Sequence, residues 1–524
     1  MKACRISEMR ALNNTAIEKF GIDNLVIMEN AGHAAYSVLA RDSGIKNKFI
    51  LVFCGTGGNS GAGYVAARMI HSNGGIVKVL MIGDPRILTR ESKTNYKILT
   101  RLPIEILELE SVESIRNDVN RCDAILDAIF GIGLYENLSG LHADVVNMIN
   151  YSQKKVFSLD LPTGINGDTG QIMGTAVKAY STLCFGLPKI GNLLHPGYGF
   201  CGKLFVSHLS YPPTLTASDT LKIKTNDPNE LPSKDTTEQQ RKWGGALFIA
   251  GEPSHFGDAY LSALSFIETG GNYARLAVSD SITQFVANKG NHIVPVSQKE
   301  TTSGNISIEN VQALLNLSEK VDIVVLGPGL SQDDETLQVV AELAKGIQKP
   351  LILSRNGILA IANDLDIIKS RLKETILTLD IEEMSLITKK STREIAQNKI
   401  DVLQKTAREL RSFIVFQEEQ SIIGNPDGSI DINISGYSGM AINRSCDILT
   451  GTIAAMHALG LGIPDSIKKG VFIHGLSGDL AIQEMGQEGV EALNILKFLP
   501  DALELDREGL TKKFGHFSLD AYTI

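Results

Sequence analysis

At 524 residues the chain is long enough for two or more domains, and 43% hydrophobic with 21% charged residues is a composition that fills cores rather than that of a disordered or fibrous chain. Fifty Lys and Arg against 59 Asp and Glu leave a net charge of -9, which argues against nucleic acid or an anionic membrane as partner, since both demand a basic surface. In chain order, FILVFC (49–54), IVKVLMIG (76–83), AILDAIF (124–130), KVFSLDLP (155–162) and STLCFG (181–186) are β-branched runs ending in Gly, Asp or turn residues, with helical stretches between them. That alternation predicts βαβ crossovers and a buried parallel sheet. From Ser210 to Arg241 the texture turns polar and proline-rich, which predicts a linker over 211–241. The rhythm then restarts with ALFIAG (246–251), YARLAVS (273–279), VDIVVLG (321–327), PLILS (350–354), TILTLD (375–380) and SFIVFQ (412–417), and ends in a helical region from Cys446 to about Leu505. The expected organisation is two α/β domains, 1–210 and 242–524.

Six cysteines, Cys4, Cys54, Cys122, Cys184, Cys201 and Cys446, are scattered without CxxC spacing and read as reduced, buried thiols. The opening MKACRISEMR has no apolar signal core, and no apolar run is long enough to span a bilayer, so a cytoplasmic protein is expected.

In open parallel sheets ligands sit beyond the carboxyl ends of strands, where strand order reverses. The first such loop, CGTGGNSGAG from Cys54 to Gly63, precedes a helix. Its glycines let backbone N–H groups approach a phosphate, although the same pattern also serves as a plain tight turn. Asp127 in LDAIFGIGL and Asp160 in SLDLPTG lie at the ends of apolar runs, where a carboxylate is either a cap or part of a site. The oxygen-bearing trio Asn59, Asp127 and Thr163 can hold a hard cation, leaving Asp160 free for proton transfer.

The order MRALNNTAIEKFGIDNLVIMENAG, CGTGGNSGAGYVAAR, LDAIFGIGL and DLPTGINGDTGQIMGTAVKAYSTLCFGLPKIG resembles the NAD(P)H-hydrate epimerase domain. The resemblance implies a Rossmann-like three-layer α/β/α sandwich acting on hydrated NADH or NADPH, with potassium held by Asn59, Asp127 and Thr163. It further implies substrate contacts at Gly57, Gly58, Asn59, Ser60 and Gly61, at Gly131, Ile132, Gly133, Leu134, Tyr135, Glu136 and Asn137, and at Asp160 as the catalytic acid–base. The family's GNNGGDG is GGNSGAG here, so Ala62 replaces the loop Asp and Gly58 the first Asn.

In the second segment, KWGGALFIAGE, VDIVVLGPGLSQDD and NPDGSIDINISGYSGMAINRSCDILTG follow in the order of the ADP-dependent NAD(P)H-hydrate dehydratase, a ribokinase-like domain. The resemblance implies Asp447 as catalytic base and substrate contact, Gly329 as a second substrate contact, and nucleotide contacts at Gln417 and Cys446. Read without the resemblance, an Asp at the start of a helix is an N-cap. The departures gather at the chemistry. The family's GGTGD is NRSCD, its KGAxT lysine is Gln417 followed by Glu418 and Glu419, an alanine of its GAP segment is Asp258, TPHPGE is TLDIEE with Asp380, and DADGL is SRNGI. A Cβ at Cys446 obstructs phosphate, and Glu418, Glu419 and Asp380 repel it. The expectation is metabolite repair by epimerisation of hydrated NAD(P)H with a potassium cofactor. Dehydration is weakened or lost, and ADP or ATP with Mg2+ is used only if the second site is active.

A homo-oligomer is expected. Two alternatives remain open at this point: a non-catalytic binding or scaffold protein built on both folds, and a small-molecule kinase using Asp447. His195 reads as a turn histidine after Lys189, Trp243 beside Lys242 as a packing residue, and Met28, Glu29 and Asn30 as either a dimer surface or core packing.

Overall fold

The β-branched runs form strands because, in a sheet covered on both faces, the residues of a central strand are nearly all apolar. The structure is a computed structural model and describes residues 1–231, 244–289, 292–436, 445–509 and 520–521. Lys242, Trp243, most of the closing GHFSLDAYTI and the stretch YSGMAINR before Ser445 lie outside the described residues. The chain divides into two compact units, one beginning at Met1 and running to Lys224, the other beginning at Thr225.

The first unit carries β1 (Lys2–Ala3), β2 (Phe49–Cys54), β3 (Ile76–Met81), β4 (Glu105–Glu108), β5 (Ala124–Ala128), β6 (Lys155–Leu159), β7 (Ser181–Phe185) and β8 (Lys203–Ser207). β9 (Ile223–Thr225) lies where the chain passes from one unit to the next, and its Ile223 and Lys224 pair antiparallel with β1. With the two-residue strand Asp520–Ala521 as β19, the sheet order is β19-β8-β7-β6-β5-β2-β3-β4, every neighbouring pair parallel. Strand order therefore reverses between β2 and β5, which opens a crevice at their carboxyl ends. Alternate residues of β2 serve opposite layers. Ile50, Val52 and Cys54 pack with helices Asn24–Ser43 and Gly58–Ser72, while Leu51 and Phe53 pack with Val119 and with Val145, Val146 and Ile149 of helix Gly140–Tyr151. That is the three-layer sandwich, and each such fully buried side chain contributes about 1.5–3 kcal/mol.

The second unit carries β10 (Gly245–Ile249), β11 (Tyr273–Ser279), β12 (Ile293–Gln298), β13 (Ile323–Leu326), β14 (Leu351–Ser354), β15 (Thr375–Leu379), β16 (Phe413–Gln417), β17 (Ser421–Gly424) and β18 (Ile430–Ile432). Their order is β18-β17-β16-β15-β14-β13-β10-β11-β12, parallel except for the pairs β16–β17 and β17–β18. Reversal falls between β10 and β13. One face of β10, Ala246 and Phe248, packs on helices Phe256–Glu268, Ser445–Ala458 and Ile463–Met485. The C-terminal helical region is three helices, the last Ala492–Arg507. Among the described residues no helix is long and apolar enough to cross a membrane.

Eight strands escaped the sequence reading: the short β1, β9 and β19, then β4, β8, β12 and the two strands of the β17–β18 hairpin. β4 reads EILE and β12 contains Pro295; both are edge strands, where polar residues and proline are tolerated.

Candidate active site

β2 ends at Cys54, and the chain turns through Gly55 to Gly57 into the fifteen-residue helix Gly58–Ser72. The first N–H groups of that helix have no acceptor within it and carry the positive end of its dipole, so they face the crevice as anion donors. The loop is braced from outside the motif. Buried Ser92 donates to the Gly57 carbonyl at 3.0 Å, and Met28 lies directly against Gly61. Gly57 and Gly58 are exposed at the rim, as are Gly133, Tyr135, Glu136 and Asn137 of the facing loop, while Gly131, Leu134, Ser60 and Gly61 are buried and Ile132 is half-buried. Arg10 spans that second loop, donating to the Ile132 carbonyl at 3.3 Å and to the Tyr135 hydroxyl.

Asp127, at the end of β5, is fully buried. Its Oδ1 accepts from the Thr163 hydroxyl at 2.6 Å and the Ile129 N–H at 3.3 Å. Its Oδ2 accepts from the Ser158 hydroxyl at 2.8 Å and the Thr163 N–H at 2.9 Å. Burial raises its pKa, and the Thr163 and Ser158 hydrogen bonds pull back against that rise. These four donors are neutral, so a positive charge is what this carboxylate would gain from. Asn59, whose Nδ2 donates to the Leu159 carbonyl at 3.1 Å, and Thr163, beside the Phe130 carbonyl at 3.4 Å, bring neutral oxygens to the same place. This donor set of carboxylate, amide, hydroxyl and carbonyl oxygens fits a hard monovalent cation better than a soft metal.

Asp160 follows β6 and is held with φ +66, a conformation that side-chain-bearing residues seldom adopt. Its N–H donates to Leu183 O at 2.7 Å, and its carbonyl accepts from Asn192 Nδ2 at 3.1 Å. Asp160, expected to be free for proton transfer, has one of its two oxygens engaged. Oδ1 is taken by the Lys189 ammonium and by the Phe185 N–H at 3.1 Å. Lys189 is fully buried and spends its remaining protons on the carbonyls of Phe185 at 2.9 Å and Leu187 at 3.0 Å. Burial pushes its pKa down most strongly, but the Asp160 charge and hydrogen bond, together with Cys184 and Cys4, leave the net shift upward. Oδ2 is the oxygen left for chemistry, and it faces Gly131: a Cβ there would lie 3.1 Å from Oδ2 and 3.5 Å from the Asn59 Cγ. The structure thus gathers Asn59, Asp127, Thr163, Asp160 and Gly131 at one end of the sheet. The sequence reading passed over Ser92, Ser158 and Asn192, and named Lys189 without its ion pair.

Met28, Glu29 and Asn30 make intrachain contacts. Met28 packs under Gly61, Glu29 takes both oxygens to Arg68 at 2.6 and 2.7 Å, and Asn30 donates to Ser210 at 3.0 Å. His195 packs edge-on against Tyr198. All six cysteines are free; five are buried and Cys446 is half-buried.

In the second unit Asp447 lies in the first turn of helix Ser445–Ala458 and is 1% exposed. Gly329, at φ +62, sits against the His255 carbonyl, 3.4 Å from Asp258 Cβ as measured from a Cβ built on it. Around Asp447 stands Arg355, whose Nε is 3.9 Å from Asp447 Oδ1, whose Nη1 is 3.8 Å from Asp380 Oδ2 and whose Nη2 donates to Cys446 Sγ. Asp380 caps helix Ile381–Thr388 reciprocally with Glu383. Burial, with repulsion from Asp380, pushes the Glu383 carboxyl up to about 8. Burial, then Asp447, raises the Cys446 thiol far above its usual range. Gln417 lines a cavity with Glu418, Glu419 and His474, and Glu418 is ion-paired to Lys399. With the Arg355 guanidinium already against Asp447, Cys446 and Asp380, these residues do not fit a nucleotide polyphosphate.

Residues 24–191 match the family described as YjeF-related protein N-terminus, and residues 246–501 the family described as NAD(P)H-hydrate dehydratase. The chain is 39% identical over 526 residues to the bifunctional NAD(P)H-hydrate repair enzyme Nnr of Thermofilum pendens, covering 100% of this chain and 99% of that protein. To the enzyme of the same name from Moorella thermoacetica it is 31% identical over 506 residues, covering 95% and 96%. Among solved structures it is similar to the ADP/ATP-dependent NAD(P)H-hydrate dehydratase from Bacillus subtilis co-crystallized with ATP/Mg2+, at 22% identity and a TM-score of 0.46, over 53% of this chain and 95% of that one. Two domain families in sequence, with relatives matched end to end, make the chain a member of the bifunctional NAD(P)H-hydrate repair enzyme family.

Proposed function

We propose that the first unit epimerises the R and S hydrates of NADH and NADPH, with Asp160 as the acid–base residue. The observation that carries this reading is the placement of Asp160 Oδ2 against Gly131 and beside Asn59, at the crevice where the sheet reverses. The dinucleotide's phosphates would lie on the N–H groups of Gly57 to Gly61 and of the opening turn of helix Gly58–Ser72, under the loop Gly131 to Asn137. Inverting the hydroxyl-bearing ring carbon requires a proton moved at that carbon or its neighbour. Oδ2 can take and return it while Lys189 and the Phe185 N–H hold Oδ1 still. Asn59, Asp127 and Thr163 would hold potassium, which when bound supplies fixed positive charge beside the phosphates. Ala62 is buried in the core and offers no carboxylate to the substrate.

The second unit keeps the dehydratase fold with weakened or lost nucleotide-dependent dehydration, because Gln417, Cys446 and Asp380 replace groups that would grip phosphate. The working compartment is the cytoplasm and the working form a homo-oligomer. The test is to incubate the protein with the R hydrate alone in potassium buffer and follow S hydrate by chromatography. Conversion is expected; its absence would remove the epimerase reading.

A further inference from the structure

The misfit of the second unit to nucleotide has a positive cause. Arg355 leaves the turn after β14 at φ +53 and ψ -125, a backbone state costly for a side-chain-bearing residue, and one that persists when the surroundings over-determine it. From there its guanidinium reaches three side chains on two elements: Asp447 at 3.9 Å and Cys446 on helix Ser445–Ala458, and Asp380 at 3.8 Å on the cap of helix Ile381–Thr388. An anion bound by the N–H groups of the first turn of helix Ser445–Ala458 would lie beside the side chains of Cys446 and Asp447. Arg355 stands there already.

We propose that Arg355 is the internal occupant of the second unit's phosphate position, and that it excludes ADP and ATP. The proposal rests on reading that unit as a dehydratase fold. The guanidinium does not act as a phosphate receptor, because Asp447 and Asp380 already face its charge. Displacing it would bring a polyphosphate against those two carboxylates in its place. Its tether also gives it an effective concentration of about millimolar, so an incoming nucleotide competes against an intramolecular rival. The loss of nucleotide grip is then partly a seat taken, and cannot be recovered by restoring Cys446 and Gln417 alone.

The experiment is titration calorimetry of the full chain with MgADP and with MgATP. It compares the Cys446→Gly, Gln417→Lys double variant with the same double variant carrying Arg355→Gly, and again with Arg355→Met. Arg355→Gly suits the positive φ and guards against misfolding, and R hydrate conversion by the first unit reports separately on the epimerase reading. Adding either Arg355 change is expected to tighten nucleotide binding at least tenfold over the double variant. Three results would overturn the proposal: triple variants that bind no tighter than the double, triple variants that do not bind, or an unaltered chain that binds nucleotide and loses at least tenfold affinity on Arg355→Ala.

Discussion

A single methyl group at position 131 tests where the first unit does its chemistry. Gly131 and Gly133 are two residues apart on one loop, and neither has a left-handed φ, so alanine suits both backbones. A Cβ at 131 would lie 3.1 Å from Asp160 Oδ2 and 3.2 Å from Asp160 Cβ, whereas a Cβ at 133 meets nothing within 4 Å. Contacts near 3.1 Å must be relieved by a few tenths of an ångström, and the group that moves is the reacting carboxylate. Since about 1 Å of misplacement costs roughly 10²-fold in rate, a shift of this size together with a methyl in the cleft should cost about tenfold or more, near 1.4 kcal/mol of transition-state stabilisation. Stability should hold or rise slightly in Gly133→Ala, because Gly→Ala at a compatible φ gains about 0.4–1 kcal/mol through the unfolded chain, whereas in Gly131→Ala the displaced Asp160 offsets that gain. The assay is kcat/KM for R-to-S conversion in Gly131→Ala and Gly133→Ala, with thermal unfolding alongside. The reasoning is refuted if Gly131→Ala keeps wild-type kcat/KM.

Lys189→Met should abolish epimerisation and lower the first unit's stability by about 3–5 kcal/mol in denaturant titration, since it strands the Asp160 carboxylate. Because the Lys189 pKa is raised above its usual 10.5, the pair's contribution is fully present below that pH and is lost only as pH climbs through the higher folded value; a wild-type stability curve that fell between pH 7 and 9 at this pair would contradict it. Glu383 has the opposite consequence. Its folded pKa lies near 8 against 4.5, so the native state holds the extra proton and stability declines as pH rises across that window. Glu383→Gln, which keeps the capping geometry, should therefore match wild type near pH 4.5 and melt higher than wild type by pH 8, read by thermal denaturation of the second unit. Exchanging potassium for tetramethylammonium should slow R hydrate conversion at least tenfold, reversibly; an unchanged rate would mean Asn59, Asp127 and Thr163 hold no catalytic cation.

The strands that carry the first site were legible because apolar runs bounded by Gly and Asp have few other solutions, and Asp127 and Asp160 stood out as carboxylates placed where burial is costly. What the sequence could not show was partnership. Lys189 is 29 residues from Asp160, and only the turn after β7 brings them together. Arg355 and Asp447 are separated by five helices and four strands, and neither SRNGI nor NRSCD hints that the two side chains meet. Edge strands such as β12 stayed hidden because half-exposed, proline-bearing segments carry no period to read.

Gly327, Gly329 and Gly451 invite a different thought about inheritance. A methyl on Gly327 would collide with the Ser354 carbonyl, on Gly329 with the His255 carbonyl, and on Gly451 with the Ser262 carbonyl, all of them main-chain atoms that cannot step aside. Folding itself enforces their upkeep, whatever reaction runs above them. A glycine signature of this kind therefore speaks for architecture, and the residues to consult for activity are those whose replacement the architecture would forgive.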